Sequence, residues 1–136
     1  MAETIDLEVV TPERPLVREE VESVEAPGKA GYLGILPGHA AFVGQLGTGV
    51  LGYVSAGKRR CLAVSGGFIE VAEGHVRVLA DVAERAEEID VDRAKAALKR
   101  AQEEVAKAPT GSGEESAAAA ASLERATARI AAAERR

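Results

Sequence analysis

Four arginines in the last third of the chain have the type and spacing to bind a polyanion. Arg93 and Arg100 lie seven residues apart in a stretch with helical periodicity, and Arg125 and Arg129 lie four apart in a second such stretch. Residues at these spacings share one face of a helix. If the two helices fold together, the guanidinium groups form a fork-like site for a polyphosphate. The alternative is a solvated surface on which the arginines pair with three glutamates: Glu103, Glu104 and Glu124.

The other reactive side chains do not form a recognisable catalytic or metal-binding pattern. His39 and His75 are far apart in the sequence, and Cys61 lies among strand residues, where it is expected to be a small buried hydrophobe. Ser65 has no nucleophile elbow around it. No phosphate-binding P-loop or dinucleotide glycine pattern is present. We therefore expect a protein that is not an enzyme and requires no cofactor and no metal.

The overall composition argues against nucleic acid as a partner. The 136 residues carry a formal net charge of -5, and only 3% of them are aromatic. An acidic chain is poorly suited to a phosphate backbone, and so few rings cannot build a stacking platform. The N-terminal residues lack the features of a secretory signal, and no apolar run approaches the ~20 residues that span a bilayer. We expect an intracellular protein that reaches a membrane only through partners.

The distribution of glycine and alanine divides the chain into two domains. Residues 1–88 hold 12 of the 14 glycines, whereas residues 89–136 hold 16 alanines. In the first part, Ile5–Val9 alternates apolar and polar residues with the period of a strand. The pairs Gly66–Gly67 and Glu73–Gly74 suit tight connections between strands. Further strand-like runs are Leu16–Val24, Lys58–Val64, Phe68–Val71 and His75–Leu79. Residues 1–88 are therefore predicted to form an all-β sandwich or barrel.

The second part is predicted to form an antiparallel hairpin of two helices. Asp90 occupies an N-cap position, and Ala108–Gly113 contains the break between the helices. The apolar stripe of the first helix is Val91, Ala94, Leu98, Ala101 and Val105; that of the second is Leu123, Ala126, Ile130 and Ala133. Few of these side chains are large, so the hairpin has little to bury and is expected to be marginally stable and mobile.

Several stretches resemble the epsilon-subunit family of bacterial and chloroplast F-type ATP synthases. They are VVTPERPLV (Val9–Val17), GYLGILPGHAAFV (Gly31–Val43), VSGGFIEV (Val64–Val71) and VRVLADVAERAEEIDVDRA (Val76–Ala94). The resemblance runs in order from the N-terminus to about Arg100, and the two-helix tail fits in length and position. It implies a fold of the α+β class, with an N-terminal sandwich of about ten strands and a C-terminal helical hairpin.

The resemblance also implies partners and a location. In this family the sandwich binds the gamma subunit and rests on the c-ring, so the protein acts as a non-catalytic rotor component that couples ion flow to ATP synthesis. The loop from Tyr32 to His39 corresponds to the edge that faces the c-ring, although members often carry an acidic residue in place of Tyr32. The expected location is the cytoplasmic face of the bacterial membrane, as a peripheral protein held by the complex.

In the family, the hairpin extends into the alpha/beta catalytic head and blocks ATP hydrolysis. The basic residues of the tail that could meet an acidic segment of the beta subunits are Arg125, Arg129, Arg135 and Arg136. Some members also bind ATP on the compact hairpin through an I/L-D-x-x-R-A motif, which Ile89–Ala94 (IDVDRA) matches in full. The resemblance therefore implies ATP as a regulatory ligand, with seven site residues: Glu84, Ile89, Asp90, Arg93, Arg100, Arg125 and Arg129.

Two other functions are consistent with the same residues. The chain could be a free-standing nucleotide-sensing module whose hairpin binds an unrelated partner. Within the family, it could be a structural coupling subunit whose tail does not inhibit hydrolysis.

Overall fold

The computed structural model describes residues 3–108 and 113–136. Within these ranges the chain forms eight strands, a 3₁₀ turn at Ala86–Glu88 and two helices. The strands are β1 (Ile5–Val10), β2 (Pro15–Val21), β3 (Ser23–Gly28), β4 (Gly31–Ile35), β5 (Phe42–Gln45), β6 (Thr48–Ser55), β7 (Lys58–Ala72) and β8 (His75–Arg85); the helices are α1 (Val91–Lys107) and α2 (Glu114–Glu134). The predicted fold class, a β-sandwich followed by two helices, is confirmed.

The strands form two layers that share β7 and β8. Residues 58–65 of β7 pair with β6, which continues through β3 to β4. Residues 68–71 of β7 pair with β5, and the first residues of β8 pair with β1, which continues to β2. We call the first set the β6 layer and the second the β1 layer. Because β7 and β8 pair with each other along most of their length, one hydrogen-bonded ladder connects both layers.

The bend in β7 lies at Gly66–Gly67. Before it, Leu62 and Val64 point into the core, whereas after it Ile69 and Val71 do so, which shifts the alternation by one residue. Both residues have positive φ, a backbone conformation that glycine adopts readily because it has no Cβ. The prediction of a tight connection here was wrong, because the two glycines bend a continuous strand. The predicted turn at Glu73–Gly74 is confirmed.

Two further expectations differ from the structure. The described residues form eight strands rather than about ten, since β7 and β8 each pass through both layers without interruption. The run Leu16–Val24, predicted as one strand, contains β2 except for its first residue, together with the first two residues of β3. The break occurs at Glu22, whose backbone N–H donates to the carbonyl of Val54 in β6.

The space between the layers is filled by aliphatic side chains from both. Alternate residues of β1, β3, β6, β7 and β8 form one cluster, whose most buried large members include Leu7, Val24, Leu51, Leu62 and Val78. Each such side chain stabilises the fold by about 1.5–3 kcal/mol through burial. No residue of α1 or α2 belongs to this cluster, so the sandwich has a core of its own.

The two helices pack on the outside of the sandwich. Helix α2 packs on β6 and β7, and α1 packs on α2. The N-cap predicted at Asp90 is confirmed, because its carboxylate accepts a hydrogen bond from the backbone N–H of Arg93 at 3.1 Å. Of the break predicted at Ala108–Gly113, residues 109–112 lie outside the described residues. Neither helix of the described chain is long and apolar enough to cross a membrane.

Candidate functional site

Helix α2 lies on the outer face of the β6 layer through very small side chains. That face carries Val50, Cys61 and Ala63, and α2 packs on it with Ala128 and Ala132. Residues four apart lie on one face of a helix, and alanine allows the helix to approach the strands closely. The hairpin therefore adopts a compact arrangement against the sandwich, with few large apolar side chains at the interface.

A cavity of about 360 Å³ lies between the hairpin and the sandwich. Its walls come from α1, α2, β7 and β8, so it exists only while the hairpin is compact. Most of the wall is made of small residues, and the charged ones are Glu84, Arg100, Glu104, Arg125 and Arg129. The volume lies within the range of small-molecule binding sites.

One ion pair joins the sandwich to the hairpin inside this cavity. The Nε of Arg129 on α2 donates to Oε1 of Glu84 on β8 at 2.8 Å. Both side chains are about three-quarters buried, at 26% and 30% exposure, so solvent screens the pair less than it would at the surface. The pair therefore contributes both to holding the hairpin and to shaping the cavity.

The other two arginines of the cavity are exposed and are not neutralised by carboxylates. Arg125 donates to the hydroxyl of Ser122, one turn before it on α2, at 3.2 Å. Within residues 3–108 and 113–136, neither Arg100 nor Arg125 forms an ion pair, and none of the four arginines pairs with Glu103, Glu104 or Glu124. Two guanidinium groups are thus available to an anion that enters the cavity.

The first residues of the Ile89–Ala94 motif have roles in the fold. Ile89 is buried in the small cluster beneath the hairpin, and Asp90 caps α1. Arg93 is exposed and does not line the cavity. It lies on the same face of α1 as Arg100, two turns nearer the N-terminus. The structure thus brings Glu84, Arg100, Arg125 and Arg129 together but leaves Arg93 outside.

Arginines hold the segment that connects the two domains. Glu88 accepts hydrogen bonds from Arg14 at 3.1 Å and from Arg85 at 2.9 Å, and these bonds lower the pKa of its carboxyl to about 2. Nη1 of Arg136 donates to the carbonyls of Ala86 at 3.2 Å and Ile89 at 3.1 Å. The end of α2 is thereby fastened to the connection that leads into α1.

Cys61 lies beneath α2 at the same interface. It is 5% exposed, which confirms the prediction of a small buried residue, and its thiol donates to the carbonyl of Ala132 at 3.4 Å. Burial raises the pKa of the Cys61 thiol. Since the thiolate is the reactive form, Cys61 is protected from modification while α2 covers it.

The residues predicted to face a ring lie in β4 and in the loop that follows it. Tyr32 is in β4, is 55% exposed, and its hydroxyl accepts a hydrogen bond from the backbone N–H of Val50 at 3.0 Å. His39 is exposed in the loop that follows β4, with Nδ1 at 2.7 Å from the carbonyl of Ala40. Leu36 in the same loop is more exposed than Tyr32. This loop therefore presents apolar surface.

Sequence reasoning missed Glu104 and Ser122 as part of the cavity. From the sequence, Glu104 is expected only to pair with the arginines on a solvated surface. Its position could have been predicted from spacing, because Arg93, Ala97, Arg100 and Glu104 recur at the 3.6-residue period of one helix face. Ser122 precedes Arg125 by three residues on α2 and carries no comparable signal.

Comparison with known proteins places both parts of the chain in one family. Residues 4–86 match the ATP synthase delta/epsilon chain β-sandwich domain, and residues 87–134 match the long α-helix domain of the same chain. An ATP synthase epsilon chain from Solibacter usitatus is 55% identical over 136 residues and covers 100% of both chains. One from Carboxydothermus hydrogenoformans is 53% identical over 107 residues, which are 79% of this chain and 80% of that one.

Solved structures show the same fold. A chain in the cryo-EM structure of the Euglena gracilis mitochondrial ATP synthase, which comprises OSCP, F1 and the c-ring, superposes with a TM-score of 0.79 at 27% identity. The match covers 95% of this chain and 81% of that one. A chain of the Tetrahymena thermophila mitochondrial ATP synthase central stalk and c-ring gives a TM-score of 0.62 at 14% identity, over 94% and 97% of the two chains. At that identity, the second match shows the fold alone.

Proposed function

Because the chain belongs to the ATP synthase delta/epsilon family and is an epsilon subunit of an F-type ATP synthase, we propose that it is a non-catalytic rotor component whose hairpin restrains ATP hydrolysis. The sandwich binds the gamma subunit and rests on the c-ring, and through them the protein is held at the cytoplasmic face of the bacterial membrane. The exposed apolar side chain of Leu36 beside His39 supports a c-ring contact at the loop after β4.

We propose that ATP is the ligand that regulates the hairpin. The cavity supports this proposal, because Arg100 and Arg125 face an opening that α1, α2 and two strands form together. Guanidinium groups bind phosphate oxygens strongly, so these two residues and Arg129 hold the phosphates. Glu84 and Asp90 accept hydrogen bonds from the base or ribose in this proposal; of these two, Glu84 lines the cavity, and Asp90 caps α1 outside it.

Binding at this cavity favours the compact hairpin. The extended hairpin separates α2 from the strands and thereby removes the cavity, so ATP binds only one of the two states. A ligand that binds one state stabilises it by about 2.7 kcal/mol when present at 100 times its Kd. A hairpin fastened by alanine contacts and a few polar bonds can be shifted by a free energy of this size. High ATP therefore keeps the hairpin away from the catalytic head.

Calorimetric titration of the full chain with ATP tests the ligand. We expect saturable binding, and Arg125→Ala should weaken it by about 10- to 100-fold, the effect of losing a charge-assisted hydrogen bond. Arg135→Ala is the matched control, since Arg135 is exposed at the end of α2 and does not line the cavity. Equal affinities for the two variants would remove Arg125 from the site. Saturable binding that fails to slow modification of Cys61 would contradict the link to the compact hairpin.

Hydrolysis by the assembled ATP synthase tests the inhibitory role. A variant that ends at Glu88 retains the core cluster of the sandwich, which contains no hairpin residue. We expect the complex that carries this variant to hydrolyse ATP faster than the complex with the full chain. Unchanged hydrolysis would instead support a structural coupling subunit, and failure to co-purify with gamma would support a free-standing nucleotide sensor.

A further inference from the structure

Glu104 is a negatively charged residue of the cavity and therefore repels an anion. Among the charged residues described there, it is the one carboxylate that no arginine neutralises. It lies four residues after Arg100, on the same face of α1, and lines the cavity with Arg125 and Arg129. The other carboxylate of the cavity, Glu84, accepts from Arg129. Within residues 3–108 and 113–136, the Glu104 side chain forms no hydrogen bond or ion pair, and it is exposed.

This arrangement sets the charge of the phosphate region. The three arginines and Glu84 leave two unbalanced positive charges, and Glu104 reduces them to one. The negative charge of Glu104 acts on the same phosphates that Arg100 and Arg125 attract, because all three side chains border one cavity. A repulsive group at a binding site adjusts both affinity and the choice among ligands of different charge.

We propose that Glu104 determines the affinity and charge preference of this cavity for nucleotides, which rests on the proposed ATP site. Its carboxylate weakens the binding of triphosphates more than that of monophosphates, because repulsion grows with the charge of the ligand. It also favours the magnesium complex of ATP over free ATP, since the cation cancels part of the phosphate charge. Glu104 thereby sets the ATP concentration at which the hairpin becomes compact.

The test compares four full-length proteins by calorimetric titration with ATP and with AMP, each with and without Mg²⁺. Glu104→Gln removes the charge with nearly the same shape, and Glu104→Asp retains the charge. Glu103→Gln is the matched control, because Glu103 is also exposed on α1, changes the net charge equally and does not line the cavity. The fourth protein is the unmodified chain.

We expect Glu104→Gln to bind free ATP about tenfold more tightly, the effect of removing one charge that acts on several phosphate charges in a site open to water. The gain for AMP should be smaller, and the advantage of Mg²⁺–ATP over free ATP should shrink. Glu103→Gln and Glu104→Asp should stay within about twofold of the unmodified chain in the same titrations.

Three results would overturn the inference while the ATP site stands. The first is an unchanged Kd for Glu104→Gln when the unmodified chain binds ATP and Arg125→Ala binds it less tightly. The second is an equal gain in affinity for ATP and AMP in Glu104→Gln. The third is an equal gain for Glu103→Gln and Glu104→Gln, which would show a general effect of net charge. If neither the unmodified chain nor Glu104→Gln binds ATP at millimolar concentration, the proposed ligand fails, and the role of Glu104 fails with it.

Discussion

Replacing Arg136 with alanine is expected to loosen the compact hairpin without unfolding the sandwich. Arg136 donates from one nitrogen to two carbonyls, of Ala86 and Ile89, at the connection between the domains. A charge-assisted hydrogen bond contributes about 1.5–3 kcal/mol, and two bonds that share one donor atom at a half-exposed position contribute about 1–2 kcal/mol together. The open hairpin should therefore become about 5- to 30-fold more populated.

Modification of Cys61 by a thiol reagent measures this population. Cys61 is the single cysteine of the 136 residues and is covered by α2, so its reaction rate reports how often the hairpin leaves the sheet. When closing is fast, the observed rate is the rate of the exposed thiol multiplied by the opening equilibrium constant. We expect the Arg136→Ala variant to react about 5- to 30-fold faster than the unmodified chain.

Three controls separate opening of the hairpin from other effects. Glu134→Gln changes an exposed charge at the same end of α2 and should leave the rate within about twofold. Arg136→Lys retains the charge with one donor group and should give an intermediate rate. The thermal transition of the sandwich should not move, because its core cluster contains no hairpin residue. A rate for Arg136→Ala equal to that of the unmodified chain would refute the reasoning.

Two further predictions concern the sandwich and the connection between the domains. Gly67→Ala should lower the free energy of unfolding by about 3 kcal/mol or more, because the added Cβ collides with the carbonyl oxygen of Leu79 at a positive φ. The control is Gly34→Ala, whose Cβ meets open space and which should change the free energy of unfolding by less than about 1 kcal/mol. Equal urea unfolding midpoints for the two variants would contradict this account. The pKa of Glu88 is lowered from 4.5 to about 2, so its ion pairs stabilise the fold above pH 4.5 and are lost as the pH falls towards 2. Glu88→Gln should flatten the pH dependence of the free energy of unfolding in that window. The change should be no more than about 1 kcal/mol, because the Glu88 side chain is 37% exposed. Parallel curves of stability against pH for the variant and the unmodified chain would exclude this contribution.

The sequence was sufficient to predict the sandwich, the hairpin and the cap at Asp90. These features depend on local signals, namely the alternation of Ile5–Val9, the helical stripes and a carboxylate before the first turn. The continuity of β7 could not be predicted, because glycine pairs are as typical of turns as of bends. Only the pairing of β7 with both β6 and β5 decides between these two structures at Gly66–Gly67.

The spacing of residues along the two helices predicts the arginines that line the cavity. Arg100, Arg125 and Arg129 meet there because residues three, four or seven apart share a helix face. Glu84 could be associated with them only through the family resemblance, since nothing local to β8 indicates that Arg129 will contact it. The position of Arg93 beyond the cavity depends on how far along its axis α1 packs against α2, and the stripe alone does not specify that register.

The shared strands β7 and β8 also have a mechanical consequence. A component that transmits torque must not deform under load. In a sandwich whose layers are joined only by side-chain contacts, the two layers can slide past each other. Here the layers cannot slide without breaking the backbone ladder through which both strands pass. The sandwich is therefore stiff against shear. The hairpin has no such ladder and is joined by separate weak contacts, so an applied load detaches it long before the sandwich yields.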